Sequence, residues 1–120
     1  GAPGTGEDRR ITMNDITLPQ AVETFIAATN AHDANTLAAV FSDRATVQDD
    51  GKTYTGEAEI HDWIKEHLIN PKIVITPTSF AANRLVASAD GDFPGGPLSF
   101  ELVFHIRDDR ITGLAIALAS

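Results

Sequence analysis

Cysteine is absent from the 120 residues of this chain. Disulfide bonds, thiolate nucleophiles and cysteine-based zinc or iron–sulfur sites are therefore excluded. The histidines do not suggest a metal site, because His61 and His67 are six residues apart rather than at the i, i+4 spacing of a helical zinc pair. We therefore predict that the protein has no metal site.

Basic residues are scarce, with 9 Lys and Arg against 17 Asp and Glu, for a formal net charge of −8. Nucleic acids and anionic membranes attract proteins through clustered cations, so the sequence predicts neither kind of partner. No apolar run approaches the roughly 20 residues that a membrane-spanning helix needs. We expect a cytoplasmic protein, and export with a removed signal peptide is the alternative.

The length and the ordinary share of hydrophobic residues, 42%, are typical of one globular domain with its own core. Residues 1–12 are rich in glycine, proline and charge, and we predict that they form a flexible N-terminal tail. Residues 13–120 are predicted to form a single domain.

Helical periodicity dominates the first half of the chain. The tetrapeptide Thr-Leu-Pro-Gln at 17–20 has the form of a capping box and predicts a helix that begins there and ends near Asn30. Asp33 predicts the cap of a short second helix. The strongest helical period covers 57–69 and is followed by Asn70 and a proline, which predict its end.

Strand signals dominate the second half. The Asp-Gly pair at 50–51 predicts a hairpin between short strands at 45–49 and 52–55. Four further strands are predicted from β-branched residues, at 72–79, 83–90, 97–107 and 110–118. Helices that precede strands without regular alternation predict an α+β fold, with helices packed on one face of a curved antiparallel sheet.

Three motifs in this order carry a resemblance to a known family: Asn-Ala-His-Asp at 30–33, Val-Phe-Ser-Asp-Arg-Ala-Thr-Val-Gln-Asp at 40–49, and Gly56 before the third helix. Together they resemble the NTF2-like superfamily, in its SnoaL-like and ketosteroid isomerase-like branch, over residues 17–118. The resemblance implies a cone of three N-terminal helices packed on a curved mixed or antiparallel sheet. It also implies a mostly apolar pocket and a homodimer formed through the sheet.

Asp49 is the main candidate for catalysis. The resemblance places it where ketosteroid isomerases carry the aspartate that moves a proton between two substrate carbons. A carboxylate suits this reaction because it can take and return one proton without forming a stable bond, provided that its surroundings are apolar. The alternative is a structural role, because Asp49 directly precedes the predicted turn at 50–51.

Other positions depart from the isomerase pattern. The resemblance places Phe25 and Leu102, or Val103 in a shifted alignment, where isomerases have the tyrosine and protonated aspartic acid of their oxyanion hole. Phe41 and Ile64 replace supporting tyrosines. Because losing one oxyanion donor typically slows such a reaction by about 10² to 10³-fold, we do not predict an authentic steroid isomerase.

The remaining candidates have a functional and a structural interpretation. His67 is either a pocket acid or base paired with Asp49 or a half-buried histidine at a helix end, and Trp63 lines the pocket or packs in the core. Tyr54, the only phenol, is a ligand donor or a rim residue. The full set of predicted pocket residues is Phe25, Phe41, Tyr54, Trp63, Ile64, Phe100, Leu102, Phe104, Leu114 and Ile116.

Two functional hypotheses follow from these observations. In the first, the protein binds a small, mostly apolar oxygenated molecule, and Asp49 with His67 supports a proton transfer, cyclisation or hydration without a cofactor. In the second, it is a non-catalytic dimeric module that binds a ligand or another protein. Small residues at Gly113, Ala115 and Ala117 favour a dimer contact on the last strand in either case.

Overall fold

The structure is a computed structural model that describes residues 10–13 and 16–119. It is an α+β fold with three helices and a six-stranded mixed sheet. In chain order the elements are β1 (Arg10–Met13), β2 (Ile16–Pro19), α1 (Gln20–Asn30), α2 (Ala34–Val40), β3 (Phe41–Asp49), β4 (Lys52–Thr55), α3 (Glu57–Ile64), a π-helical turn (Lys65–Ile69), β5 (Val74–Ala81), β6 (Arg84–Asp90), β7 (Leu98–Arg107) and β8 (Arg110–Leu118).

The large sheet has the strand order β4-β3-β8-β7-β6-β5. Only the pair β3 and β8 is parallel, and the other neighbours are antiparallel. Three hairpins turn through two residues that both have positive φ, at 50–51, 82–83 and 108–109. Such turns match the right-handed twist of the strands that they join. The predicted Asp-Gly hairpin is confirmed, although its first strand begins four residues earlier than predicted, at Phe41. The four late strands are confirmed with ends shifted by at most two residues.

The hydrophobic core lies between the helices and one face of the sheet. Phe25 of α1 contacts the sheet edge-on, with its ring centroid 5.5 Å from that of Phe104 and 6.2 Å from that of Phe41. The ring of Phe41 in turn meets Trp63 of α3 at 6.3 Å. Edge-to-face contacts at these distances are favourable beyond the area that they bury, so this aromatic chain fixes both helices on the sheet.

The N-terminal part differs from the prediction. The prediction of a capping box at 17–20 is wrong, because Thr17 lies in β2, where it pairs with Thr12 of β1. Helix α1 begins at Gln20, and Pro19 precedes it without a side-chain capping bond. Residues 10–12 of the predicted tail belong to β1, and residues 1–9 lie outside the described residues.

The predicted arrangement of three N-terminal helices holds only in part. Strands β1 and β2 precede the first helix, and the hairpin of β3 and β4 separates the second helix from the third. The third helix is confirmed from Glu57, but its last turn widens to π-helical geometry, with the Asn70 N–H donating to the Lys65 carbonyl at 2.9 Å. Single π-helical turns occur frequently at functional sites.

The predicted cap at Asp33 is confirmed. Its Oδ1 accepts from the Thr36 N–H at 3.1 Å, and its Oδ2 accepts from the Thr36 hydroxyl at 2.7 Å. These bonds stabilise the charged carboxylate and hold the pKa of Asp33 below its ordinary value. The cap therefore stabilises α2 most when the carboxylate is charged.

Asp33→Ala is expected to lower the midpoint of thermal unfolding at pH 7 more than at pH 2. Because the folded-state pKa is lowered, the stabilisation is complete above the unfolded-state value, about 3.9, and is lost as the pH falls through the folded-state value. Differential scanning calorimetry measures the melting temperatures of the original chain and the variant at both pH values. The difference in melting temperature between Asp33→Ala and Asp33→Asn should be the same at both pH values, because neither replacement titrates at this position. An equal loss in Asp33→Ala at both pH values would contradict the prediction.

Candidate functional site

A cavity of about 760 Å³ lies between the sheet and the helices. Its size is within the range of roughly 300 to 1,000 Å³ that is typical of small-molecule sites. The wall is contributed by α1, α3 and the π-helical turn, by the ends of β3 and β8, by the inner faces of β5, β6 and β7, and by the loop between β6 and β7. It is mostly apolar, and representative residues are Phe25, Ile75, Ala87, Phe100, Leu102 and Ile116.

The ionisable residues of the wall are nearly all acidic. They are Asp49, Asp50, Glu66 and His67, and no lysine or arginine occurs among the described residues that line the cavity. Carboxylates repel an anion and accept hydrogen bonds from a donor. The cavity is therefore electrostatically suited to uncharged or cationic molecules.

Asp49 occupies the last position of β3, beside the turn at 50–51. Its Oδ2 accepts a hydrogen bond of 2.9 Å from the indole Nε1 of Trp63, a side chain of which only 1% is exposed. Its Oδ1 has no hydrogen-bond partner among the described residues. A buried indole thus holds the carboxylate in one orientation and leaves one acceptor oxygen for another molecule.

His67 lies on the π-helical turn, with 39% of its side chain exposed. Its Nε2 is 3.4 Å from the Tyr54 hydroxyl, a long contact, and 3.9 Å from Oε1 of Glu66. No hydrogen bond joins His67 to Asp49 in the described part of the chain. The predicted acid–base pair is therefore absent from this arrangement, although both side chains line the same cavity.

The structure divides the predicted site residues into two groups. The cavity wall contains Asp49, His67, Phe25, Trp63, Phe100, Leu102 and Ile116. Four predicted residues are buried in the core and do not line this cavity: Phe41, Ile64, Phe104 and Leu114. Tyr54 is half-buried behind His67 and also lies outside the wall.

Sequence reasoning missed several wall residues. Thr29 lines the cavity, although it shares one helical face with the apolar residues Val22, Phe25 and Ile26, a position that predicts core packing. Phe93 reaches the wall from the loop between β6 and β7, where glycine and proline predict only turns. The available signals were a hydroxyl in an apolar stripe and an aromatic residue in a turn-rich loop.

Within 10–13 and 16–119, no group of three or more His, Asp or Glu residues is arranged to hold a metal ion. None of the helices in that part of the chain has the length and apolar character to cross a membrane.

Comparisons with known proteins agree with the fold. A profile described as the SnoaL-like domain matches residues 22–114. No curated protein sequence matches the chain. Among solved structures, a candidate polyketide cyclase from Sinorhizobium meliloti is similar, with 28% identity and a TM-score of 0.75 over 83% of this chain and 95% of that chain.

Two further structures are similar at the level of fold. The epoxide hydrolase/cyclase-like enzyme SalBIII, which has a role in pyran ring formation in salinomycin, has 16% identity and a TM-score of 0.74, over 83% of this chain and 88% of that chain. A Mycobacterium tuberculosis protein in complex with estradiol-17β-hemisuccinate has 15% identity and a TM-score of 0.65, over 82% of this chain and 91% of that chain. At these identities, both likenesses concern the fold alone.

Proposed function

The chain belongs to the SnoaL-like domain family, and from that premise we propose that it binds a small, mostly apolar oxygenated molecule in the cavity beside Asp49. This match confirms the SnoaL-like branch that the three sequence motifs predict. One observation carries the proposal: Trp63 holds the Asp49 carboxylate at a mostly apolar wall, and one oxygen of that carboxylate remains free to meet a ligand. A few well-placed polar groups in an apolar cavity are typical of small-molecule sites.

The catalytic form of the proposal assigns proton transfer to Asp49. Its Oδ1 takes a proton from a carbon next to a carbonyl, and the electron pair of the broken C–H bond forms an enolate. Return of the proton to another carbon completes an isomerisation. Attack of the enolate carbon on a second carbonyl completes a cyclisation, and the proton then goes to the new alkoxide. Neither route needs a cofactor.

A non-catalytic binding module is the second candidate. The resemblance places Phe25, and Leu102 or Val103, at the two oxyanion-hole positions, and none of these side chains can donate a hydrogen bond. The module is favoured because Phe25 and Leu102 line the cavity without supplying such donors. An enolate formed in this cavity would lack those two donors. The same departure argues against an authentic steroid isomerase.

Two measurements on the full chain separate these candidates. Calorimetric titration with estradiol, an uncharged rigid molecule with a hydroxyl at each end, tests binding. Proton NMR in D₂O tests whether the protein exchanges the α-protons of 2-tetralone, an enolisable ketone, faster than buffer does. Binding with exchange supports the enzyme, and binding without exchange supports the module. If the protein shows neither binding of estradiol nor faster exchange of 2-tetralone, the proposed function is overturned.

The outer face of the sheet supports the proposal of a homodimer. Val103 and Ala115 are directly opposed on β7 and β8, on the face away from the buried Leu114. On the same face Arg84 forms an ion pair and hydrogen bond with Glu101, which raises the pKa of the guanidinium and lowers that of the carboxyl. The small side chain of Ala115 lets a second sheet approach closely. Because Arg84 and Glu101 pair with each other, burying them under that sheet would leave neither charge unpaired.

Ala115→Lys is expected to convert the dimer into a monomer. The substitution places two like charges and two long side chains at the proposed contact, which disfavours association. Sedimentation equilibrium at micromolar concentration should give twice 12.8 kDa for the original chain and 12.8 kDa for the variant. Ala58→Lys, at an exposed position of α3, is the matched control and should remain dimeric. An original chain that sediments only as a monomer would contradict the dimer.

A further inference from the structure

Thr29 carries the one buried side-chain polar atom in the described part of the chain that has no hydrogen-bond partner. The residue is 0% exposed, and its Oγ1 has no partner. Buried polar groups in folded proteins are nearly always paired, because an unpaired hydroxyl loses its bonds to water and gains nothing in return. The Thr29 hydroxyl, which belongs to a residue of the cavity wall, is therefore available to pair with a polar group of another molecule.

The backbone around Thr29 is fixed against the sheet. The neighbouring Asn30 binds both backbone groups of Ile75 in β5, donating from Nδ2 at 3.0 Å and accepting at Oδ1 at 2.7 Å. Thr29 therefore lies beside β5, whereas Asp49 lies on β3. Strands β8, β7 and β6 separate these two strands, a path of about 19 Å along the curved sheet at about 4.8 Å per step.

The wall between the two polar residues is apolar. It passes over Ile116 of β8, Phe100 and Leu102 of β7, and Ala87 of β6. Among the described residues of β6, β7 and β8 that line the cavity, none has a charged side chain. A molecule that contacts both ends therefore needs an apolar body and a polar group at each end.

We propose that the Thr29 hydroxyl is the second polar contact of the ligand, which is an elongated, uncharged or cationic amphiphile. At one end a hydroxyl or N–H donates to Oδ1 of Asp49, and at the other end an oxygen pairs with Thr29. Threonine has two favoured χ1 rotamers in a helix, so its hydroxyl can turn toward the ligand without backbone movement. This inference rests on the proposed binding function and assigns the ligand class of the same cavity.

The competing explanation is a local bond. Threonine hydroxyls in helices often donate to the carbonyl one turn earlier, here that of Phe25, and such a bond would make Thr29 purely structural. The structure contains no such bond. The two explanations differ in the free protein: Thr29→Val removes a stabilising bond only if the local bond exists.

The test uses the full chain, two variants and two probes. Thr29→Val removes the hydroxyl at nearly constant shape, and Thr29→Ser retains it. Estradiol has a hydroxyl at each end of a rigid apolar skeleton, and 17-deoxyestradiol lacks one of them. We expect the original chain and Thr29→Ser to bind estradiol at least tenfold more tightly than 17-deoxyestradiol. Thr29→Val should bind both probes with the same affinity and should melt no lower than the original chain.

Each other outcome is decisive. An estradiol preference that is equal in Thr29→Val and the original chain, or absent from the original chain, overturns the role of Thr29 and leaves the proposed binding function intact. A clearly lower melting temperature for Thr29→Val assigns the hydroxyl to a local bond and overturns the inference. If the original chain binds neither probe, the proposed function fails and the inference fails with it.

Discussion

Asp49→Asn is expected to slow the α-proton exchange of 2-tetralone by about 10² to 10⁴-fold relative to the original chain. The amide has nearly the shape of the carboxylate, and its oxygen can still accept the bond from Trp63. It cannot take up a proton at neutral pH, so only the proton-carrying step is removed. Proton NMR in D₂O measures the exchange rate directly.

Asp50→Asn is the matched control for this experiment. Asp50 lines the same cavity and carries the same charge, but it occupies a turn position with φ of 52°, which asparagine tolerates well. Exchange should persist in this variant, and both proteins should melt close to the original chain. Equal loss in the two variants would show that general charge, not Asp49 itself, governs the reaction. Full activity in Asp49→Asn would remove Asp49 as the proton carrier.

Trp63→Ala is expected to lower the free energy of unfolding by about 3 to 5 kcal/mol, the range for deleting a buried large aromatic side chain. Trp63 is nearly fully buried, and its ring lies 6.3 Å from Phe41 and 6.4 Å from Tyr54. The alanine variant loses these contacts and leaves a cavity next to Asp49. Urea unfolding followed by circular dichroism measures the change.

Trp63→Phe separates the packing of the indole from its hydrogen bond. It retains most of the apolar volume and removes the donor to Asp49, so we expect a smaller loss of about 1.5 to 3 kcal/mol, the range for hydrogen bonds to charged groups. In an Asp49→Ala background the added cost of Trp63→Phe should shrink, because the partner is gone. Tyr54→Phe is the control, since its 3.4 Å contact with His67 is long and should contribute little. Equal costs of Trp63→Phe in both backgrounds would contradict the bond.

Local sequence signals predicted most elements of the fold. The Asp-Gly turn at 50–51, the cap at Asp33 and the four late strands depend on neighbouring residues, and the structure confirms each of them. The capping box at 17–20 shows the limit of such signals. Residues of β2 pair with β1, and this pairing overrides a pattern that is favourable for a helix start.

The partition between core and cavity could not be predicted from residue parity. Leu102 and Phe104 are two residues apart on β7, so both point to the inner face and both are predicted pocket residues. Leu102 lines the cavity, whereas Phe104 packs against Phe25. Parity determines which way a side chain points. It does not determine whether a helix fills the space above that side chain, because this depends on where α1 crosses the sheet.

The sequence by itself determined the family, the order of the elements and the acidic charge, because these follow from local patterns, their spacing and composition. Only the tertiary structure decided that Trp63, and not His67, donates a hydrogen bond to Asp49. It also decided that the Thr29 hydroxyl is buried without a partner. Asp49 and Trp63 are 14 residues apart on different elements, and Thr29 meets a wall formed by distant strands. Such contacts depend on how helices and sheet pack together, which no short stretch of sequence specifies.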